Sequence, residues 1–283
     1  MEGLAGHLER YLSLRRCVGY QLAEHGRVLP GFVAYAQARG ETTVHTRSAV
    51  AWAGSASSDG QAARRLSMVR GFARYLVAFD PATEVPARAV TPNPAGRSTP
   101  HIYTDDEISR LMKAARAIRF GVFGETMATM IGLLAATGLR PGEARRLDRS
   151  HVDLANAQLS VWHSKSGRSR RLPLHPTTVD ALAEYAARRD RWHLCPGDDA
   201  FFPGRGGARL TRAVAARAFA QLRADACILT SAGRRRAVLG DLRHSFAVST
   251  LLGWHRDHGP LQSHGVRAGM PSMSRMRSGW RPS

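Results

Sequence analysis

Over the first 80 residues apolar side chains recur at the spacing of a helix face. Leu4, Leu8, Tyr11 and Leu12 form one stripe, and Val28, Phe32, Val33, Tyr35 and Ala36 form a second. A third helix is predicted over about residues 47–53 and a fourth over about 60–79. In the fourth, Leu66, Val69, Phe72, Leu76 and Phe79 turn inward while Arg64, Arg65, Arg70 and Arg74 project elsewhere, as a solvated face or as one that contacts phosphates. Residues 81–100 then hold Pro81, Pro86, Pro92, Pro94 and Pro100 with few large apolar side chains, which favours an extended tether over a packed element. The pattern divides the chain into a helical domain of residues 1–82, a Pro-rich linker of 83–100 and a second domain from 101.

The second domain opens at Thr104, whose hydroxyl can cap a helix while Glu107, three residues on, reaches back. Phe123 to Thr137 is apolar all round, as in a buried helix, and Gly138 ends it. Pro141 suits the first turn of a helix running to Leu147, so Arg140 lies in the joint between two helices. Residues 158–164 and 170–174 read as strands about the basic turn Lys165, Ser166, Gly167, Arg168. Helices resume over about 176–189, 211–225 and 241–252. The expected class is mainly α with a small β-hairpin, an α+β arrangement. From about Asp257 the apolar stripe is lost among Met270, Met273, Met276, serines and glycines, and residues 257–283 read as unstructured.

Composition narrows the function. An apolar fraction of 43% over 283 residues suits two domains with cores of their own. The N-terminus lacks the apolar run of an export signal, and Met127 to Ala136 falls well short of a membrane span. Cys17, Cys195 and Cys227 are far apart and without paired spacing, which supports neither a disulfide framework nor a zinc site and fits a reducing cytoplasm. A net charge of +19 calls for a polyanionic partner, DNA or RNA, although an arginine-rich codon bias would produce part of it. Against that bias the two lysines, Lys113 and Lys165, stand out, because an ammonium can donate a proton where a guanidinium effectively cannot. Lys113 sits on an ordinary helix surface; Lys165 stands at the hairpin tip.

Three motifs follow in order: Thr137-Gly138-Leu139-Arg140-Pro141-Gly142-Glu143; Lys165 followed by Arg171-Leu172-Pro173-Leu174; and Asp241-Leu242-Arg243-His244-Ser245-Phe246-Ala247. Taken singly, Arg140 could be a helix-end surface residue, Lys165 a solvated turn residue and Arg243 one half of a salt bridge. In this order, behind a helical domain and a Pro-rich linker, they resemble the catalytic domain of the tyrosine recombinase (phage integrase) family, whose helical, SAM-like core-binding domain the first 82 residues resemble. The resemblance covers roughly residues 5–255 and implies double-stranded DNA as partner, with related protomers assembled on it, and no metal or organic cofactor. By the resemblance Arg140 and Arg243 clamp a backbone phosphate, Lys165 donates a proton to the leaving 5′ oxygen, and Glu143 orients Arg140. Planar guanidinium groups suit the charge that builds on the non-bridging oxygens as the phosphodiester is attacked. Arg64, Arg65, Arg70, Arg74 and Arg168 are the further candidates for DNA contact.

Two departures bear on activity. Where the family places a histidine three residues before the second arginine, this chain has Gly240, and the neighbouring His244 does not fill that role. The family's nucleophilic tyrosine follows the third motif, yet all six tyrosines, at 11, 20, 35, 75, 103 and 185, precede Arg243. The expected function is therefore DNA binding within the recombination and integration family, without strand cleavage by this chain alone. The expected catalytic domain, residues 101–256, is incomplete, and a shifted reading frame near residue 257 would account for the tail. The alternatives are a recombinase that takes its tyrosine from a partner protomer and an unstable remnant of an integrase gene.

Overall fold

A computed structural model describes residues 3–88, 99–162, 169–192, 198–229 and 235–258. The chain divides into two compact units, Met1–Arg97 and Ser98–Ser283.

The first unit packs four helices, α1 (Leu4–Cys17), α2 (Ala23–Gln37), α3 (Thr46–Gly54) and α4 (Asp59–Leu76), around Leu8, Leu29, Phe32, Val69 and Phe72. Ser58 caps α4 by accepting from the Gln61 amide. The helix stops at Leu76 rather than continuing to residue 79, because the chain turns there and the Phe79 amide donates to Leu76 at 2.8 Å. Phe79 is consequently 55% exposed and lies beside the rings of Tyr75 and His7 instead of in the core.

Arg70 also departs from expectation. It is buried, not projecting, and donates from Nε to the Pro86 carbonyl at 2.6 Å and from Nη2 to Ala87 at 2.9 Å. A position four residues after Leu66 and one after Val69 falls on the covered side of α4, and a guanidinium can be buried there because carbonyls satisfy it. The same stretch is fastened by a Thr43–Thr83 hydroxyl pair at 2.7 Å and by the Glu84 amide donating to Val44 at 2.8 Å. Residues 83–87 thus pack on the helical unit.

In the second unit, α5 (Asp105–Arg116) starts at the capping box of Thr104 and Glu107. It packs against α6 (Phe123–Thr137), in which every residue from Phe123 to Leu134 except Glu125 is buried. The short α7 (Pro141–Arg145) ends before Leu147. A three-stranded antiparallel sheet follows, ordered β1 (Val152–Asp153), β2 (Gln158–Val161) and β3 (Arg170–Pro173). The sequence pattern contained β2 and β3 but not β1. Leu159 pairs with Leu172, and Val161 with Arg170 at the start of β3. The helices α8 (Pro176–Asp190), α9 (Arg212–Asp225) and α10 (Leu242–His258) complete the unit. Among the described residues, no helix is long and apolar enough to cross a membrane.

Candidate phosphate-binding site

The site is assembled where α6, α7, β3 and α10 meet. Gly138 ends α6 with a left-handed φ of +62° and accepts α10 at very short range: a Cβ built there would stand 2.3 Å from the Phe246 ring. Two residues later Arg140 sits extended at the N-cap of α7, and Pro141 occupies the first turn. On α10, Arg243 reaches back and donates from Nη1 to the Gly138 carbonyl at 2.5 Å. The Gly138 turn therefore fixes the backbone that carries Arg140 and also supplies an acceptor for Arg243.

Glu143 is the hub. Its side chain is 1% exposed and accepts four bonds. Oε1 receives Arg140 Nη1 at 3.0 Å and Arg170 Nη1 at 3.3 Å, while Oε2 receives the Arg140 amide at 3.1 Å and Arg170 Nη2 at 2.7 Å. Burial opposes the charge, but the bonds from Arg170 and from the backbone and side chain of Arg140 outweigh it and hold this carboxyl at about 2. Burial, then the field of Arg140, lowers the Arg243 guanidinium from its ordinary value, with Arg170 adding to the effect and Glu143 opposing it. Both Arg140 and Arg243 remain exposed to solvent. Two guanidinium groups thus bond one buried carboxylate and a third, that of Arg243, lies in its field, leaving an excess of positive charge that an incoming anion can neutralise.

The foot of α10 is held separately. The buried Asp241 accepts from Arg235 Nη1 at 2.9 Å, from Arg235 Nη2, and from the Val238 amide at 3.0 Å. Ser245 Oγ accepts from the Tyr103 amide at 2.8 Å. Gly240 lies in a 3₁₀ turn, Leu239–Asp241, and a Cβ at that position would meet nothing within 4 Å. His244, next to Arg243, is exposed.

The structure brings Arg140, Glu143 and Arg243 together. Lys165 and Arg168 lie outside the described residues. Arg64 and Arg74 are exposed on α4, and Arg65 donates to Ser55 at 3.1 Å with its guanidinium 5.0 Å from the Trp52 ring centre. Arg70 is committed to backbone carbonyls, as above. Arg170 belongs to the site although sequence reasoning passed over it, since its partner Glu143 lies 27 residues away on another element. The hint available was the buried-helix context of Glu143, a carboxylate that needs cations beyond its local partner.

The tyrosines of this unit are elsewhere occupied. Tyr185 is fully buried, with its hydroxyl 2.9 Å from Thr126 Oγ1 and donating to the Phe201 carbonyl at 3.3 Å. Tyr103 is 2% exposed and donates to the Val238 carbonyl at 3.2 Å. Burial pushes both phenols well above their ordinary range, away from the phenolate a nucleophile requires.

The profile described as the phage integrase family matches residues 102–252. The Sinorhizobium fredii protein y4rE, which carries an integrase/recombinase name, is 36% identical over 267 residues, covering 92% of this chain and 84% of its own. The tyrosine recombinase XerD of Caulobacter vibrioides is 35% identical over 199 residues, 69% of this chain and 63% of that one. In fold, the chain is similar to a lambda integrase dimer bound to a COC′ core site, with a TM-score of 0.58 at 19% identity over 87% of this chain and 89% of that one. It is also similar to the Tn1549 transposon integrase in complex with a circular intermediate DNA, with a TM-score of 0.62 at 14% identity over 87% of each chain.

Proposed function

This chain belongs to the phage integrase family of tyrosine recombinases, and from that premise we propose that it binds double-stranded DNA by gripping a backbone phosphate between Arg140 and Arg243, without cleaving the strand by itself. The observation that carries the reading is the convergence of two exposed arginines, one at the N-cap of α7 and one on α10, around the buried Glu143. Each guanidinium can present a two-pronged donor face to a phosphate oxygen, and the charge they concentrate is what an attacked phosphodiester develops. By the resemblance Lys165 supplies the leaving-group proton.

The chain lacks the other half of the chemistry. Cleavage needs a phenol oxygen to attack phosphorus. In this unit the tyrosines are Tyr103 and Tyr185, both buried and hydrogen-bonded, and no tyrosine follows Tyr185 in the sequence. Gly240 offers no proton and no phosphate contact where the family has a histidine. Holding a phosphate requires neither group, so binding survives their loss. The DNA-bound dimer and tetramer structures of lambda integrase support assembly of several protomers on one DNA.

The test combines fluorescence anisotropy on a short mixed-sequence duplex with an adduct assay on a nicked duplex. Affinity should fall steeply with salt, each neutralised phosphate adding about −0.9 to the log–log slope. Arg140→Ala and Arg243→Ala should each weaken binding, and denaturing gels should show no covalent adduct. Unchanged affinity in both variants would refute the clamp. An adduct formed by the purified chain would refute the absence of cleavage, and one appearing only with a relative added would point to a tyrosine supplied by another protomer.

A further inference from the structure

We infer that Arg170 is a positioning residue, the resident counterion of Glu143 that leaves the Arg140 guanidinium available to a phosphate. The inference rests on the clamp reading above and assigns a function to a side chain outside the three motifs.

Glu143 is almost completely buried, and a carboxylate in that position must keep charge-assisted partners or lose its charge. Two oxygens offer about four acceptor sites, and all four are filled. Arg170 spans both oxygens with its two terminal nitrogens, at 2.7 and 3.3 Å, in the two-pronged geometry that suits a carboxylate best. Arg140 contributes its backbone amide and one terminal nitrogen.

The division of labour follows from what each donor can give up. The Arg140 amide is fixed by the N-cap of α7 and stays on Oε2 whatever its side chain does. When a phosphate approaches, Arg140 can release Oε1 and still leave Glu143 with three donors, two of them from a cation. Were Arg170 absent, that same movement would strip a buried carboxylate of its only side-chain counterion among these contacts. Arg140 would then be held on Glu143 rather than on the phosphate. The pairing of Val161 with Arg170 sets Arg170 at the first position of β3, so a backbone ladder and not a loop determines where its guanidinium begins.

The experiment is a double-mutant cycle on the full chain, with duplex affinity read by anisotropy well below the thermal transition of each variant. Arg170→Met should weaken binding about tenfold, equivalent to roughly 1.4 kcal/mol. In a Glu143→Gln background, where no buried charge awaits a counterion, the same change should cost less than about threefold. Arg170→Lys, which keeps the charge but loses the second prong, should recover part of the loss.

Equal losses in both backgrounds, with the salt slope reduced by about 0.9, would overturn the inference and make Arg170 a direct phosphate contact. A lowered melting temperature with unchanged affinity would overturn it in favour of a purely structural role. If Arg170→Met does not fold, Arg170→Lys compared in both backgrounds decides the same question. Arg140→Met separates the two levels: unchanged affinity there refutes the clamp and this inference together, whereas weakened affinity with additive Arg170 losses refutes only the inference.

Discussion

Gly138→Ala strikes a residue that serves the fold and the site at once. Its φ of +62° costs an L-residue with a Cβ roughly 1–2 kcal/mol. Separately, the added carbon would stand 2.3 Å from Cδ1, 2.9 Å from Cε1 and 3.0 Å from Cγ of Phe246, and overpacking of this kind costs about 1–3 kcal/mol. Together they predict a loss of about 2–5 kcal/mol, enough to lower the melting temperature of a unit this size by roughly 10 °C. The strain acts at the α6–α10 contact, and Phe246 is three residues from Arg243, whose Nη1 bonds the Gly138 carbonyl. DNA affinity should therefore fall together with stability. Calorimetry and anisotropy on Gly138→Ala, Phe246→Ala and the double variant apportion the effect: removing the ring should relieve the steric part and leave the backbone part, a coupling of about 1–3 kcal/mol. A Gly138→Ala protein as stable as the parent, or a cycle with no coupling, would refute the reasoning.

Further outcomes follow from the same structure. Glu143 titrates at about 2 instead of 4.5, a depressed folded value, so its contribution of about 3 kcal/mol is present above pH 4.5 and is lost as pH falls from there through 2. The groups facing it are the guanidiniums of Arg140, Arg170 and Arg243, so the stability difference between parent and Glu143→Gln should shrink steadily on acidification in urea melts; a pH-independent difference would contradict this. Arg70→Ala should destabilise the first unit by about 1–3 kcal/mol through the freed carbonyls of Pro86 and Ala87, with no change in the salt slope of DNA binding, whereas Arg64→Ala should leave stability alone. The reverse pattern in paired melts and salt titrations would restore Arg70 as a phosphate contact. Tyr185→Phe should cost about 1 kcal/mol in thermal melts and nothing in DNA affinity, since its hydroxyl serves Thr126 and Phe201.

What the sequence disclosed was what is local. Thr104 with Glu107 and the Gly138 stop each act within one turn of chain, so residue identity and spacing reveal them. Arg70 was misplaced because its fate depends on carbonyls 16 and 17 residues away that fold back over α4, which no helical spacing records. Phe79 had the right interval for the core, yet the helix had already ended at Leu76. The strand β1 is two residues long, too short for an alternating pattern to exist. Arg170 escaped notice because its importance comes from a carboxylate on another element, while the motifs that were legible are runs within single joints.

That distinction also separates binding from chemistry in this chain. The proposed clamp lies in the joint of α6 and α7 and the foot of α10, where Gly138, Glu143, Asp241 and Ser245 fix the backbone through buried contacts. Those contacts would persist with a Cβ at position 240, because it would meet nothing within 4 Å. The buried network of Glu143 and its two arginine partners is intact, while the half-buried position 240 in its 3₁₀ turn carries glycine. On the proposed reading, the electrostatic grip on a backbone phosphate rests on this buried network and not on the residue at position 240.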